Sequence, residues 1–371
     1  MKKILIVFLG NIKNDSRSFK IYKSLKEAGY IVKVICAAEP NEPIIESNDE
    51  VIHIKLRKFR RALFKILSFY FKSLPLIIKI CADIVISSDL FSLPIAWLIS
   101  VKCNAKMIYD SREFYSSLAS TKNRRFVQKI ISLFEEIFTL RCSVILTVNQ
   151  SIAKLISSKF EKPIFIVRNF PTVKWKSEKT FIYKKQIENA LLYLGLFHQD
   201  RGFDIYFELI QRLSFEFNDI KLLIVGKGEL KNLLLEEIQK RNLESKVEIL
   251  GPYSPDEEIK FPNIKKIVGL CIIKPVSLSY FFSLPNKIFE YIQAKIPFIA
   301  SDLPEIRAII ETYKVGILVD PSNISEIVES TRKLLTDHNL YLTMRDHCER
   351  ATRELTWENE IKSLLDVLEI L

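Results

Sequence analysis

The 371-residue chain has no Cys-x-x-Cys pair, and no His cluster stands beside any of its six cysteines (Cys36, Cys81, Cys103, Cys142, Cys271 and Cys348). No metal site is therefore expected. The cysteines sit mostly in apolar runs and read as buried free thiols, which suits a reducing cytosol. Glycine is scarce, with nine residues, and the lone Gly226-Lys227-Gly228 falls short of a dinucleotide fingerprint. No period of 20–50 residues recurs, which excludes a repeat array. No RRM, KH or helix-turn-helix signature is present, so the net charge of +11 is not read as nucleic-acid binding. The most apolar window, 84–101, is interrupted by Asp89 and Pro94 and reads as strand then helix, not a membrane span. Met1-Lys2-Lys3 and the apolar run 4–9 have the outline of a signal peptide. The run is brief, lacks a small-residue cleavage site and leads into Asn14-Asp15-Ser16-Arg17, so a first buried strand is expected. The expected location is cytoplasmic, with peripheral contact to the inner face of the membrane open.

What is present is a folded composition, 48% hydrophobic and 27% charged, and a length that suits two domains. The positive balance fits an anionic partner: a phosphorylated ligand or an anionic membrane surface. Strand and helix signals alternate from the start: strand 4–9, helix 17–28 closed by Gly29, strand 31–36. This rhythm predicts α/β architecture with doubly wound parallel sheets, whose ligands bind beyond the carboxyl ends of the strands. The predicted division is 1–172, a polar Lys-rich linker at 173–188, a second domain at 189–355 and a terminal helix at 356–371, with two helices after a last strand at 315–321. Residues 55–73 interleave Lys55, Arg57, Lys58, Arg60, Arg61, Lys65 and Lys72 with aromatic and aliphatic residues. Such a helix either lies on an anionic membrane surface or packs its apolar face into the core.

The most informative stretch runs from Phe281 to Glu305. It predicts a helix starting near Pro285, with Ile288, Phe289 and Ile292 on its apolar side and Glu290 off it. Backbone N–H groups around Ser283 and Leu284, with Lys287 nearby, make a phosphate site at the helix start. Glu290, one turn on, can accept two hydrogen bonds from a ribose diol. A plain helix with one exposed Glu explains the spacing as well.

Leu284-Pro285-Asn286-Lys287, then Glu290-Tyr291, followed by the Pro297–Glu305 tail, resembles the donor segment of GT-B glycosyltransferases of family 4, the glycosyl transferases group 1. Further matches are Tyr109–Glu113, the loop from Gly195 to Arg201-Gly202, and Val225-Gly226-x-Gly228. The resemblance implies two Rossmann-like domains facing a cleft, with the C-terminal helix crossing back to the first. It implies a nucleotide-diphosphate sugar as co-substrate, with no separate cofactor. Arg201, Lys287 and Glu290 would be catalytic; Gly195, Gly226, Ser283, Leu284, Asn286 and Glu290 would bind the donor. A sugar or lipid-linked acceptor is the implied second partner. Retention at the anomeric carbon and a setting in bacterial surface polysaccharide or lipopolysaccharide assembly are implied as well. No Asp-x-Asp is found, in keeping with cations, not a metal, stabilising the leaving diphosphate.

Asp15, Arg17, Asp89, Arg112 and Glu113 are candidates for the sugar or acceptor side. Asp15 either caps the first helix or faces a ligand. Arg112 replaces the family's His, and either binds a hydroxyl or phosphate or pairs with Asp110 or Glu113 at the surface. Leu196 and Phe282 also depart from the pattern, standing where an Arg and a Glu are usual. Those losses leave a non-catalytic nucleotide-sugar or membrane-surface binder as an alternative. A related epimerase would need carboxylates that the segment around Phe282 does not offer.

Overall fold

The computed structural model describes the chain except residues 41, 43, 46–49, 60, 119, 120, 122, 123, 174–176, 184, 185, 200 and 254–256, and the side chains of Ser116 and Ser177. Arg60 and Asp200, and parts of the expected linker, lie outside the described residues. The chain divides into two compact units, 1–169 with 360–371, and 170–359.

The first unit holds strands β1 (Lys3–Phe8), β2 (Ile31–Ala38), β3 (Val51–Lys55), β4 (Ile84–Ser87), β5 (Lys106–Asp110), β6 (Val144–Thr147) and β7 (Ile164–Ile166). Between them run helices α1 (Ser16–Glu27), α2 (Ala62–Lys79), α3 (Leu93–Cys103), α4 (Arg125–Thr139) and α5 (Gln150–Ser157). The strands form one parallel sheet in the order β3-β2-β1-β4-β5-β6-β7. Runs such as Ile4 to Val7 and Ile84 to Ile86 are buried, as a sheet covered on both faces requires. Gly29 takes φ +89° just past α1, the left-handed stop that its place in the sequence predicts.

The second unit contains β8 (Ser177–Thr180), β9 (Ile187–Leu196), β10 (Ile220–Lys227), β11 (Val247–Leu250), β12 (Glu257–Lys260), β13 (Ile264–Cys271), β14 (Phe298–Ser301) and β15 (Gly316–Val319). Its helices are α6 (Phe203–Ser214), α7 (Lys231–Lys240), α8 (Leu278–Phe281), α9 (Asn286–Gln293), α10 (Pro304–Tyr313), α11 (Ile324–Thr336) and α12 (His338–Ala351), followed by α13 (Trp357–Ile370). Six strands form a second parallel sheet, β11-β10-β9-β13-β14-β15, and β12 pairs with β8. Each large sheet reverses direction once, between β1 and β4 in one unit and between β9 and β13 in the other. Ligands of open parallel sheets bind at such reversals.

Several expectations need correction. Residues 173–188 are not merely a linker: β8 pairs with β12 and Phe181 stacks on Phe261, tying the stretch into the second unit. The unit boundary falls instead at 169/170. The basic-apolar helix begins at Ala62, because Val51–Lys55 is taken up as strand β3, and it continues through Pro75 to Lys79. Three helices follow β15, not two. The last, α13, starts in the second unit and ends in the first, where Lys2 Nζ donates to the Leu368 carbonyl at 2.8 Å. Cys36, Cys142, Cys271 and Cys348 are buried thiols. Cys81 and Cys103 instead form a disulfide, because the ends of α2 and α3 bring their Cα atoms to 5.6 Å. Among the described residues no helix is long and apolar enough to cross a membrane.

Helix α9 is fastened to the second sheet at its reversal. The Tyr291 hydroxyl accepts the Leu194 N–H at 3.3 Å and lies 2.8 and 3.0 Å from the carbonyls of Leu192 and Leu270, one on β9 and one on β13. Room for the ring comes from Gly269, where a Cβ would stand 2.7 Å from the Tyr291 ring. Tyr291→Phe strands these buried polar atoms and should cost about 1–3 kcal/mol. Urea unfolding that leaves the midpoint unchanged would refute this anchor.

Candidate functional site

In the second unit the carboxyl ends of β9, β10 and β13 meet in front of α9. Gly226 takes φ +151°, and a Cβ there would lie 1.9 Å from the Gly195 carbonyl, so only glycine lets the two strand ends close up. Gly195, at φ +124°, takes a backbone conformation that favours glycine, and it lies beside Lys287: a Cβ would stand in ordinary contact, 3.8 Å from its Cε and 4.0 Å from its Nζ. Lys287 is buried, and its ammonium sits 3.4 Å from the centre of the Tyr193 ring. That is a cation–π contact in a desolvated place. Among the described residues no carboxylate pairs with Lys287. Burial pulls its ammonium down to about 7; Cys271 and Glu290 oppose the shift and the positive charge of Arg201 adds to it.

Arg201 is half-buried in the loop before α6, with its guanidinium 5.4 Å from the centre of the Tyr280 ring. Gly202, at φ +79°, turns the chain into α6 there. Glu290, half-buried on α9, accepts a hydrogen bond from the Tyr253 hydroxyl, and burial together with that carboxylate pushes the Tyr253 phenol far up. Ile288, Phe289 and Ile292 are buried on the other side of α9, as their spacing predicts. The fold thus brings Gly195, Arg201, Gly226, Lys287 and Glu290 to one sheet edge.

Other positions differ from expectation. Pro285 is the cap residue of α9, extended at ψ 136°, and the helix proper begins at the exposed Asn286. Ser283 does not offer its backbone donor, because its N–H is bonded to the Tyr280 carbonyl at 3.1 Å and its hydroxyl to the same oxygen at 2.7 Å. Leu284 packs partly against the core. Phe282 ends α8 edge-on to Phe281, so an apolar ring stands where the family has an acid. Leu196 is exposed. Sequence reasoning missed Tyr193, Tyr253 and Tyr280. The one available signal was Tyr193 two positions before Gly195, which in a strand puts both on the same face.

The first unit builds a charged cluster at its own reversal. Asp15 caps α1, accepting the Ser18 N–H at 2.7 Å, and also pairs with Arg112 at 2.8 Å. Burial alone would raise the Asp15 carboxyl; Arg112 and Ser18 outweigh it and hold it below its ordinary value. Arg112 also reaches Asp110 at 3.1 Å and the Ser18 hydroxyl at 2.6 Å, and lies over the Phe8 ring. It pairs with Asp110 and Asp15, not with Glu113, and it does so half-buried. Arg17 is not a cleft residue. It is buried, grips Asp110 at 2.6 and 2.9 Å, and donates to the Val167 carbonyl. Asp89 accepts the N–H groups of Leu9 and Ser92 at 2.9 and 2.7 Å, and burial raises its carboxyl. Glu113 is exposed, and its carbonyl accepts the Ser111 hydroxyl at 3.4 Å. Asp110 holds both arginines: its pairing with Arg112 is one of the readings the sequence offers, and its grip on Arg17 is one the sequence did not assign.

Comparison with known proteins gives a consistent answer. Residues 176–355, nearly the whole second unit, match the family model of glycosyl transferases group 1. An uncharacterized glycosyltransferase of Methanocaldococcus jannaschii is 26% identical over 81% of this chain and 75% of its own length. Sucrose-phosphate synthase from Thermosynechococcus elongatus has the same fold, with a TM-score of 0.76 at 13% identity, covering 100% of this chain and 98% of that one. Anabaena HepE, in complex with UDP and glucose, superposes with a TM-score of 0.71 at 12% identity, with both chains fully covered.

Two outcomes check these electrostatics. Arg17→Leu leaves Asp110 buried without its main partner and should cost roughly 3–5 kcal/mol in urea unfolding; an unchanged midpoint would remove the pair from the fold's essentials. For Lys287, the folded value lies below the unfolded one, so between about pH 7 and the ordinary lysine range the unfolded chain holds a proton that the folded chain lacks. Its contribution to stability therefore rises with pH across that window. Lys287→Met should flatten the rise relative to wild type, measured as melting temperature against pH; parallel curves would contradict the depressed value.

Proposed function

Because the chain belongs to the glycosyl transferases group 1 family and has the GT-B fold, we propose that its second unit binds a nucleotide-diphosphate sugar over the carboxyl ends of β9, β10 and β13. The protein is a nucleotide-sugar glycosyltransferase. The observation that carries the donor assignment is the pairing of a buried, carboxylate-free Lys287 with Arg201 beside the Gly195–Gly226 close approach. A buried lysine without a carboxylate is costly to keep charged. A diphosphate supplies the missing anion. Arg201 grips phosphate oxygens with its planar fork, and Lys287 adds a point charge. The positive end of the α9 dipole adds to the attraction in the same place. Glu290 exchanges or shares its Tyr253 contact for the ribose hydroxyls.

Transfer breaks the bond between C1 of the sugar and the phosphate oxygen and forms one from C1 to the acceptor oxygen. The hydroxyl proton passes to the departing diphosphate, so no strong protein base is needed, and configuration at C1 is retained. Charge grows on the diphosphate as the bond breaks, which is where Arg201 and Lys287 act. UDP is the first nucleotide to test, since a relative of the same fold binds it. The acceptor reading, a sugar or lipid-linked hydroxyl in surface polysaccharide or lipopolysaccharide assembly, is supported by family analogy.

UDP at a hundredfold excess over its Kd should stabilise the wild type by about 2.7 kcal/mol, seen as a raised melting temperature. Arg201→Ala and Lys287→Ala should lose most of that shift and at least roughly tenfold in turnover. Retention of the full shift by both variants would move the diphosphate elsewhere. Binding should also take up a proton at pH 8, as the anion recharges an amine whose free value is about 7. Calorimetry in buffers of different ionisation enthalpy measures that uptake, and Lys287→Met should abolish it.

A further inference from the structure

Three helices of the first unit turn unpartnered apolar stripes to solvent. On α4 the residues are Phe126, Ile130, Leu133 and Ile137, with Leu140 just beyond, at spacings of 4, 3, 4 and 3, all more than half exposed. These spacings trace one face of a helix. The opposite side of α4 faces the protein: Glu135 is buried and accepts from the Tyr109 hydroxyl at 2.9 Å and from Lys159 at 3.1 Å. On α2 the stripe is Leu63, Leu67, Phe71, Leu74 and Ile78, again at spacings of 3 or 4, with Phe71 70% and Ile78 77% exposed. Helix α3 lies beside both. Trp97 meets Phe138 of α4 edge-on at 6.0 Å, Lys102 donates to the Ile77 carbonyl of α2 at 2.9 Å, and the Cys81–Cys103 disulfide joins the α2 and α3 ends. Leu98 and Val101 of α3 are themselves exposed.

We infer that this α2-α3-α4 face is a docking surface for an anionic lipid bilayer, with the α4 stripe as its principal apolar element. Charge selects this occupant. The three helices carry six cations (Lys65, Lys72, Lys79, Lys102, Arg125 and Lys129) against two carboxylates, Glu135 and Glu136, and Glu135 is buried. Lys65 is matched by Glu39 at 2.7 Å and Lys102 is held by the carbonyls at the end of α2, so Lys72, Lys79, Arg125 and Lys129 carry the charge of this face. Arg57, Lys58 and Arg61 precede α2, and Arg124 and Arg141 flank α4. An apolar stripe bordered by cations suits the boundary between anionic headgroups and acyl chains. Lysine stems there extend over apolar surface with their charge toward the headgroups. Helix α2 carries three lysines and an internal Pro75, so it lies in the surface plane. The face reaches well past 55–73, the one stretch whose composition points to a membrane. It goes beyond the donor-site reading and does not depend on it.

The test is co-sedimentation of the full chain with vesicles of phosphatidylcholine alone and of phosphatidylcholine mixed with phosphatidylglycerol. The expected result is partition to the anionic vesicles only, weakened by added salt. Phe126→Ser with Leu133→Ser, and separately Arg125→Gln with Lys129→Gln, should each lower that partition by roughly tenfold. Both pairs are exposed, and the UDP-induced melting shift should be unchanged in each, which separates failure here from failure of the donor site. Three results would overturn the inference: no binding to either vesicle, equal binding by the variants, or a lipid-free dimer that Phe126→Ser with Leu133→Ser dissolves. The last would assign the face to a second copy of the chain.

Discussion

The geometry of the proposed donor site depends on one buried hydroxyl. Tyr291 bonds to β9 and β13 at the point where the second sheet reverses, and so fixes the rotation of α9 about its axis. With that rotation set, Ile288, Phe289 and Ile292 enter the core, Lys287 is directed over Tyr193 beside Gly195, and Glu290 remains half out of the core against Tyr253. A helix of eight residues has little stability of its own, so its placement has to come from tertiary contacts. The lysine is thereby buried without a paired carboxylate among the described residues, an arrangement that disfavours its charged form.

The two sheet reversals share a topology and differ in electrostatics. At the reversal of the first unit both arginines are matched by carboxylates: Arg17 by Asp110, and Arg112 by Asp15 and Asp110. Those charges are spent on holding α1 and the loop after β5 in place. Removing one partner is costly because the other stays buried. In the second unit Lys287 and Arg201 act on one another without a carboxylate paired to Lys287 among the described residues. The same residue types are thus matched by carboxylates in one place and, for Lys287, left without one in the other, and the difference lies in which partner the fold brings near.

The excess of 55 Lys and Arg over 44 Asp and Glu is spread unevenly in a comparable way. Part of it lies along the α2-α3-α4 face, where apolar stripes are left to solvent. Another part neutralises carboxylates at the first reversal, and a third part sits at the proposed donor edge. Net charge by itself told of an anionic partner without saying which one or where.

The sequence by itself determined the local elements and their alternation, since strand and helix periodicities are properties of neighbouring residues. It also carried the family resemblance, through Leu284–Tyr291 and the tail to Glu305, and the apolar side of α9. Only the tertiary structure decided what long-range contacts control. Ser283 spends its donor on Tyr280, Arg17 disappears under Asp110, and β8 ties part of the Lys-rich stretch 173–188 to β12. Cys81 meets Cys103 only because two helix ends converge, and Tyr253 reaches Glu290 from 37 residues away. No local pattern encodes such meetings, because a side chain's partner across the fold is set by the path of the whole backbone. The depressed ammonium of Lys287 belongs to this second class too, because burial, not residue type, shifts it.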